Sequence, residues 1–185
     1  MSKHLFLIGF MGCGKTYWGE RIAKVFSLPF TDLDEYIESV QGRTIAELFV
    51  RQGESAFRQL ERRYLYVSSR WSPRVIATGG GTPCFFHNLG WMKRHGVTLW
   101  IDIPFEILWL RLQGEERLRR PLLRETSFET LQQLWQKRCA YYQQADYIAR
   151  RQPEDDEATW TAKVHATART ALLALLPGSS QQSKA

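Results

Sequence analysis

The sequence contains no apolar run long enough to cross a bilayer. Its longest apolar stretches, such as residues 5–8 and 97–101, have the length of a β-strand, whereas a membrane-spanning helix needs about 20 apolar residues. The first apolar run begins at Leu5, so we expect no room for a leader segment before it. These features argue against a membrane partner, a signal peptide or a transit peptide, and we expect a cytoplasmic protein.

Cysteine is scarce, and positive charge is not concentrated in one segment. The three cysteines, Cys13, Cys84 and Cys139, are odd in number and widely spaced, which argues against a disulfide framework and against paired metal ligands. The net charge is +6, yet there is no long basic run and no zinc-finger spacing. We therefore expect no nucleic-acid partner, because a cleft that holds two anions accounts for the surplus of Arg and Lys.

Short apolar runs alternate with segments of helical periodicity along most of the chain. Strands are predicted at residues 4–8, 29–31, 74–78, 97–103 and 147–149, and helices at about 15–26, 34–42, 44–53, 54–69, 88–95, 105–112, 127–144 and 157–175. This alternation is typical of an α/β fold with a parallel sheet and helices on both faces. We expect one domain over residues 1–176, and a disordered tail at 177–185, which lacks apolar anchors.

Residues 9–16, which read GFMGCGKT, match the phosphate-binding pattern G-x-x-x-x-G-K-[ST] completely. In such a loop backbone N–H groups surround the phosphates of ATP, Lys15 reaches the β- and γ-phosphates, and the Thr16 hydroxyl binds Mg²⁺. The predicted ATP contacts are Gly12, Cys13, Gly14, Lys15, Thr16 and Tyr17. A chance glycine-rich turn is the alternative, but the strand before the loop and the helix after it favour nucleotide binding.

Two aspartates, Asp32 and Asp34, lie one residue apart at the end of the second predicted strand. Helix capping is the ordinary use of such residues. However, ligands of parallel sheets bind at the carboxyl ends of the strands, which leaves a functional use open. In that case we expect Asp32 to help hold Mg²⁺ through its water shell and Asp34 to meet a substrate hydroxyl.

Arg58 and Glu61 lie on adjacent turns of one predicted helix. One interpretation is a surface ion pair of little energetic consequence. The functional interpretation is a clamp, in which Glu61 orients the guanidinium of Arg58 for two-pronged binding of a substrate carboxylate.

Three consecutive glycines, Gly79, Gly80 and Gly81, follow the third predicted strand. Glycine is costly in backbone entropy, so a simple connection seldom uses three. The triplet indicates a close approach of the backbone to a ligand, with a tight turn as the alternative.

Residues 113–126 are polar, rich in arginine and interrupted by Gly114 and Pro121. They form either a solvated run of charge or a mobile lid that closes over ATP. A lid would bring an arginine to the charge that develops on the γ-phosphoryl group.

Taken in order, these motifs resemble those of the shikimate kinase family over nearly the whole chain except the tail. The matching features are residues 9–16, Asp32 with Asp34, Phe57 and Arg58 with Glu61, the glycine triplet, Arg120-Pro121-Leu122, and Arg138 with Tyr141. The resemblance implies a three-layer P-loop kinase fold with a five-stranded parallel sheet. It also implies a small helical substrate-binding region at residues 32–61 and a lid at residues 113–126.

The resemblance implies a role for each matching residue. The implied shikimate contacts are Asp34, Arg58, Gly79, Gly80, Gly81 and Arg138, with the two arginines on the carboxylate. Asp34, Lys15 and Arg120 would be catalytic, Arg120 being the lid arginine, and Gln152 would lie near adenine. The implied reaction is Mg²⁺- and ATP-dependent phosphorylation of the 3-hydroxyl of shikimate, on the route through chorismate to aromatic amino acids, by a monomer.

Two other functions are weighed against this one. A gluconate kinase shares the phosphate loop and the lid, but it does not need the aspartate pair, Arg58 and the glycine triplet together. A catalytically idle nucleotide-binding module is disfavoured, because Lys15, the aspartate pair and Arg120 are all present.

Overall fold

The structure is a computed structural model that describes residues 3–113 and 126–176. Five parallel strands form one sheet in the order β2-β3-β1-β4-β5. The strands are β1 His4–Ile8, β2 Phe30–Asp32, β3 Val75–Ala77, β4 Gly96–Asp102 and β5 Tyr147–Arg150. The helices are α1 Lys15–Val25, α2 Leu33–Gln41, α3 Ile45–Val67, α4 Asn88–His95, α5 Phe105–Leu112, α6 Phe128–Tyr142 and α7 Glu157–Leu173.

The core is centred on β1, the middle strand, whose five residues are all buried. A strand covered on both faces needs apolar side chains in both directions, which explains the unbroken apolar run that follows His4. On one side of the sheet α1 and α7 contact each other, and Trp18 meets Trp160 edge to face there. Trp91 of α4 packs against Phe6 of β1.

The register of the strands brings their carboxyl ends to one edge of the sheet. Leu7 of β1 is paired with Ala77 of β3 and Leu99 of β4, while Asp32 of β2 is paired with the same Ala77. The segments that follow β1, β2 and β3 therefore leave the sheet side by side. Ligands bind at this edge in open parallel sheets.

Local sequence signals account for where α2 ends and α3 begins. Thr44 and Glu47 form a reciprocal capping box at the start of α3. Gly42, in the left-handed conformation, ends α2 as predicted. The predicted break near Gly53 is confirmed, because Gly53 has non-helical φ 77° and ψ 169°, so that α3 consists of two helical segments joined at a kink.

Most predicted elements agree with the structure to within about two residues. The sequence did not predict two 3₁₀ turns, Ser68–Arg70 and Thr82–Cys84. The tail at 177–185 and nearly all of the predicted lid, with Arg120, lie outside the described residues. Within residues 3–113 and 126–176, no helix has the length and apolar character required to span a membrane.

Candidate active site

The phosphate loop, residues 9–16, connects β1 to α1. Gly9, Gly12 and Gly14 have φ of 143°, 77° and 88°, a region that side-chain-bearing residues rarely adopt. Space is also restricted, since a Cβ on Gly9 would lie 2.8 Å from the carbonyl oxygen of Ile101. Backbone conformation therefore requires glycine at all three positions, and packing against β4 adds a second requirement at Gly9.

The ammonium group of Lys15 is held over this loop. Its Nζ donates hydrogen bonds to the carbonyl oxygens of Gly9 and Phe10, both at 3.0 Å, and lies 3.7 Å from Sγ of Cys13. Cys13 is fully buried beneath the loop. A positive charge thus lies on the same loop whose backbone N–H groups and helix N-terminus attract phosphate.

The two carboxylate oxygens of Asp32 accept hydrogen bonds from different groups. Oδ1 caps α2 by accepting from the N–H groups of Asp34 at 2.9 Å and Glu35 at 3.4 Å. Oδ2 accepts from the Thr16 hydroxyl at 2.6 Å. The capping interpretation of Asp32 is thus confirmed, and its second oxygen faces the residue predicted to bind Mg²⁺.

The oxygen donors of Thr16 and Asp32 suit a hard cation such as Mg²⁺. Among the described residues, no group of three His, Cys, Asp or Glu side chains lies close enough to hold a metal. A magnesium ion at this pair would take most of its ligands from phosphate and water, as is usual for Mg²⁺ in nucleotide sites.

Arg58 is not a surface residue, because only 7% of it is exposed. Its Nη1 donates to Oε2 of the fully buried Glu61 at 2.9 Å, and its Nε and Nη2 each donate to Oε1 of Glu54 at 3.2 Å. Burial lowers the pKa of Arg58, but the carboxylates of Glu61 and Glu54 together raise it by more, so that the net shift of the pKa is upward. The cation is therefore held in place and permanently charged.

Aromatic rings surround the same guanidinium. The centroids of Phe85, Phe57 and Phe49 lie 4.7, 5.3 and 5.6 Å from Cζ of Arg58. Cation–π contacts of this kind gain strength when water is excluded. Together with the two carboxylates, the rings fix the plane in which Arg58 presents its remaining N–H groups.

Side chains press closely against the glycine turn, Gly79, Gly80 and Gly81. A Cβ on Gly79 would lie 2.5 Å from Oε1 of Glu61 and 2.8 Å from Oδ1 of Asp34, and one on Gly81 would lie 2.6 Å from Nη1 of Arg58. None of the three has positive φ. The groups that closely approach this turn in the structure are side chains of the protein itself, and the predicted approach to a ligand stays a prediction.

Arg138 of α6 reaches the same turn. A Cβ on Gly80 would lie 3.4 Å from Nη1 of Arg138 and 3.3 Å from the backbone nitrogen of Met11 in the phosphate loop. The guanidinium also lies 5.5 Å from the ring centroid of Phe10. Gly80 is therefore the point where Arg138 comes close to the phosphate loop.

The tyrosine beside the glycine turn is Tyr142 rather than Tyr141. The hydroxyl of Tyr142 donates to the carbonyl oxygen of Gly80 at 2.5 Å, and burial raises the pKa of this residue well above its usual value. Tyr141, which was matched to the family pattern, is 42% exposed. One residue along a helix turns a side chain by about 100°, which explains the difference.

Gln152 lies apart from the phosphate loop, just beyond β5. Its backbone N–H donates to Oδ2 of Asp155 at 2.8 Å. Its side chain lines a cavity of about 460 Å³ at the ends of β4 and β5, together with Trp100, Asp102, Pro104, Trp135, Gln136, Cys139, Gln143, Arg150, Arg151 and Pro153. No phosphate-loop residue lines this cavity, so its geometry does not test the predicted adenine contact.

Apart from Gln152 and Tyr17, the predicted site residues that the structure describes lie at the phosphate loop or at the glycine turn. Tyr17 follows Thr16 on α1, is 48% exposed, and has Cζ of Arg21 3.5 Å from its ring centroid. Residues that sequence reasoning did not single out also belong to the cluster, namely Glu54, Thr82, Phe85 and Tyr142. Glu54 lies four residues before Arg58, and this helical ion-pair spacing was a usable signal. The others meet the cluster only through the tertiary fold.

Comparison with known proteins identifies the family of this chain. The family model described as shikimate kinase matches residues 11–168. A shikimate kinase of Bacteroides fragilis is 40% identical over 148 residues, covering 78% of this chain and 82% of that protein. A shikimate kinase of Synechococcus elongatus is 41% identical over 157 residues, covering 84% and 81%.

Solved structures extend the similarity to the whole fold. The crystal structure of shikimate kinase from Bacteroides thetaiotaomicron has a TM-score of 0.80 at 36% identity, covering 94% of this chain and 99% of that one. Shikimate kinase from Acinetobacter baumannii in complex with shikimate gives 0.79 at 28%, covering 95% and 96%. A gluconokinase from Sinorhizobium meliloti gives 0.59 at 13%, covering 92% and 94%, and shares the fold alone. The chain therefore belongs to the shikimate kinase family.

Proposed function

We propose that this protein transfers the γ-phosphoryl group of ATP to the 3-hydroxyl of shikimate, a step on the route through chorismate to aromatic amino acids. The observation that carries the proposal is the close approach at Gly80, where a Cβ would lie 3.3 Å from the backbone nitrogen of Met11 in the phosphate loop and 3.4 Å from Nη1 of Arg138. A carboxylate on the arginines would lie beside the phosphate loop, as transfer between two bound anions requires.

The proposed acid-binding cleft consists of Asp34, Arg58, Arg138 and the glycine turn. Arg58 and Arg138 bind the shikimate carboxylate. The guanidinium of Arg58 is already held by Glu61 and Glu54, so little side-chain entropy is lost on binding. Asp34, whose Oδ1 lies against Gly79, binds the hydroxyls.

Catalysis in this proposal is mainly positioning and neutralisation of charge, as expected for phosphoryl transfer. Lys15 binds the phosphates at the point of transfer, and Arg120 of the lid adds a second positive charge. Asp34 orients the attacking hydroxyl and accepts its proton. Thr16 and Asp32 would hold Mg²⁺ together with phosphate and water, and the ion would supply neutralisation of phosphate charge there.

We further propose that residues 1–176 act as one kinase domain, with the lid at 113–126 and the substrate region at 32–61. Gln152 contacts adenine in this proposal. The protein is proposed to work as a cytoplasmic monomer, without a nucleic-acid or membrane partner.

A coupled assay of ADP release tests the function. Purified protein with ATP and Mg²⁺ should release ADP when shikimate is added, but not when gluconate is added, and turnover should stop when EDTA removes Mg²⁺. The variant Asp34→Asn should retain ATP binding and lose a factor of about 10² to 10⁴ in kcat. Gluconate-dependent ADP release without a response to shikimate would contradict the proposal.

A further inference from the structure

A buried hydroxyl lies behind the Arg58–Glu61 pair. Thr82, directly after the glycine turn, is fully buried and begins the 3₁₀ turn Thr82–Cys84. Its Oγ1 donates a hydrogen bond to Oε1 of Glu61, whereas Arg58 bonds to Oε2 at 2.9 Å. The two oxygens of the Glu61 carboxylate are thus divided between a substrate-side arginine and a threonine of the fold.

The backbone of Thr82 is fixed independently of Glu61. Its N–H donates to the carbonyl oxygen of Gly79 at 3.1 Å, and its own carbonyl oxygen accepts from Nδ2 of Asn88 at 2.9 Å. Asn88 is fully buried at the first position of α4, where its N–H donates to the carbonyl of Phe85 at 2.9 Å. The position of the hydroxyl is therefore determined by α4 and the glycine turn.

The charge on Arg58 does not depend on the Thr82 hydroxyl, but the orientation of the Arg58 guanidinium does, through Glu61. Glu61 has three rotatable side-chain bonds, and a buried carboxylate that lacks a second partner turns to find one. A rotation of the Glu61 side chain would move Oε2, which accepts from Nη1 of Arg58, and would thereby shift the guanidinium. Bidentate recognition of a carboxylate tolerates little such displacement, because both N–H groups must point at its oxygens.

We propose that Thr82 is a positioning residue for substrate binding. Its hydroxyl locks the rotamer of Glu61, and Glu61 in turn holds Arg58 in the plane needed to receive the carboxylate of the acceptor. Asn88 supports Thr82 from α4. This inference rests on the proposed function, because it assigns Arg58 to the carboxylate of shikimate.

Three variants of Thr82 separate the hydroxyl from the shape of the side chain. Thr82→Val keeps the branched shape and Thr82→Ala removes it, but both lack the hydroxyl, whereas Thr82→Ser keeps the hydroxyl and lacks the methyl group. We expect Val and Ala to raise KM for shikimate about tenfold, the effect of one hydrogen bond to a charged group. KM for ATP should stay unchanged, and Ser should behave like the wild type.

Thr98→Val provides a matched control. Thr98, on β4 and outside the cleft, is also fully buried, and its Oγ1 also donates to a carboxylate, Oδ2 of Asp146 at 2.8 Å. This variant should lower the melting temperature without changing the ratio of the two KM values. The same measurements on Thr82→Val therefore distinguish positioning from a general loss of stability.

Two results would overturn the positioning role while leaving the function intact. One is an active wild type whose KM for shikimate is unchanged in both Thr82→Val and Thr82→Ala. The other is a parallel rise of both KM values in all three Thr82 variants, Thr82→Ser included. A wild-type protein with no shikimate-dependent ADP release would instead overturn the proposed function, and this inference would fall with it.

Discussion

The phosphate loop and the acid-binding cleft meet at Gly80, and they present different chemical groups. The loop is made of eight consecutive residues and presents backbone N–H groups and one lysine. The cleft uses side chains from α2, α3 and α6 that converge on the glycine turn. A local backbone motif thus adjoins a site built from charged side chains that are distant in sequence.

This difference predicts how substitutions act. Changes in the loop should alter the reaction of the bound phosphates, whereas changes in the cleft should alter binding of the acid. Gly80 adjoins both regions, so the separation is not guaranteed by distance. Measuring kcat and the two KM values for variants in each region determines whether the regions act independently.

The largest effect is expected in the loop. Lys15→Met removes the ammonium group over Gly9 and Phe10 and should lower kcat by about 10² to 10³, the usual loss for one stabiliser of developing charge. Binding of shikimate to the nucleotide-free protein, followed by calorimetry, should stay unchanged. Lys24→Met, on the exposed last turn of the same helix, is the matched control and should keep full turnover.

The next effect is expected in the cleft. Arg58→Lys keeps the positive charge but loses the planar fork, so KM for shikimate should rise about 10- to 100-fold. KM for ATP should not change. Arg62→Lys, one turn along α3 on the exposed face against Tyr66, is the control. A rise in both KM values for Arg58→Lys would show that the two regions are coupled through Gly80.

The phosphate loop was predictable because its pattern is contiguous and its glycines are required by positive φ. The ends of most helices and strands were also predictable, since caps such as Thr44 and Gly42 act locally. The position of Asp32 at a strand end placed it at the ligand-binding edge of the sheet. The structure adds that its one carboxylate both caps α2 and accepts from Thr16.

The inner side of the cleft could not be predicted from sequence. Nothing local indicates that Glu61 is fully buried, because its carboxylate packs against Gly79 on another segment, where a Cβ would lie 2.5 Å from Oε1. The hydrogen bonds of Thr82 and Tyr142 likewise join segments that are 21 and 62 residues apart. Such contacts follow from the packing of α3 and α6 against the strand ends.

A smaller effect is expected from the glycine turn itself. Gly81 has φ of −87°, which any residue adopts, so Gly81→Ala acts only through its Cβ, 2.6 Å from the Arg58 guanidinium. Displacement of Arg58 should raise KM for shikimate by a factor of about 5 to 10.

Gly90→Ala is the control for this glycine. Gly90 lies within α4, where the nearest atom to a new Cβ is a flexible arginine terminus at 3.6 Å. It should leave both KM values unchanged and stabilise the fold by about 0.5 to 1 kcal/mol. A normal KM for shikimate in Gly81→Ala would mean that the close contact at Gly81 does not position Arg58.

The smallest effect is expected at the opposite end of β1, where His4 is fully buried. Its Nε2 lies 2.9 Å from the carbonyl oxygen of Ser68 and must be the donor, while Nδ1 is buried without a partner among the described residues. Burial lowers the pKa of His4 from 6.5, the nearby charges of Arg74 and His95 add to this, and the bond to Ser68 opposes it.

Because the unfolded chain takes up the His4 proton more readily, the contribution of His4 to stability is complete above pH 6.5. It is lost as the pH falls toward the lowered pKa of the folded state.

His4→Gln keeps a donor for Ser68 without a titrating ring, so its melting temperature should fall less than that of the wild type between about pH 7 and pH 5. Both KM values at neutral pH should be unchanged, because the substitution lies at the amino end of the strand and the site at its carboxyl end. Equal pH slopes in the two proteins would remove His4 as the cause, and a changed KM would mean that β1 transmits the perturbation to the phosphate loop.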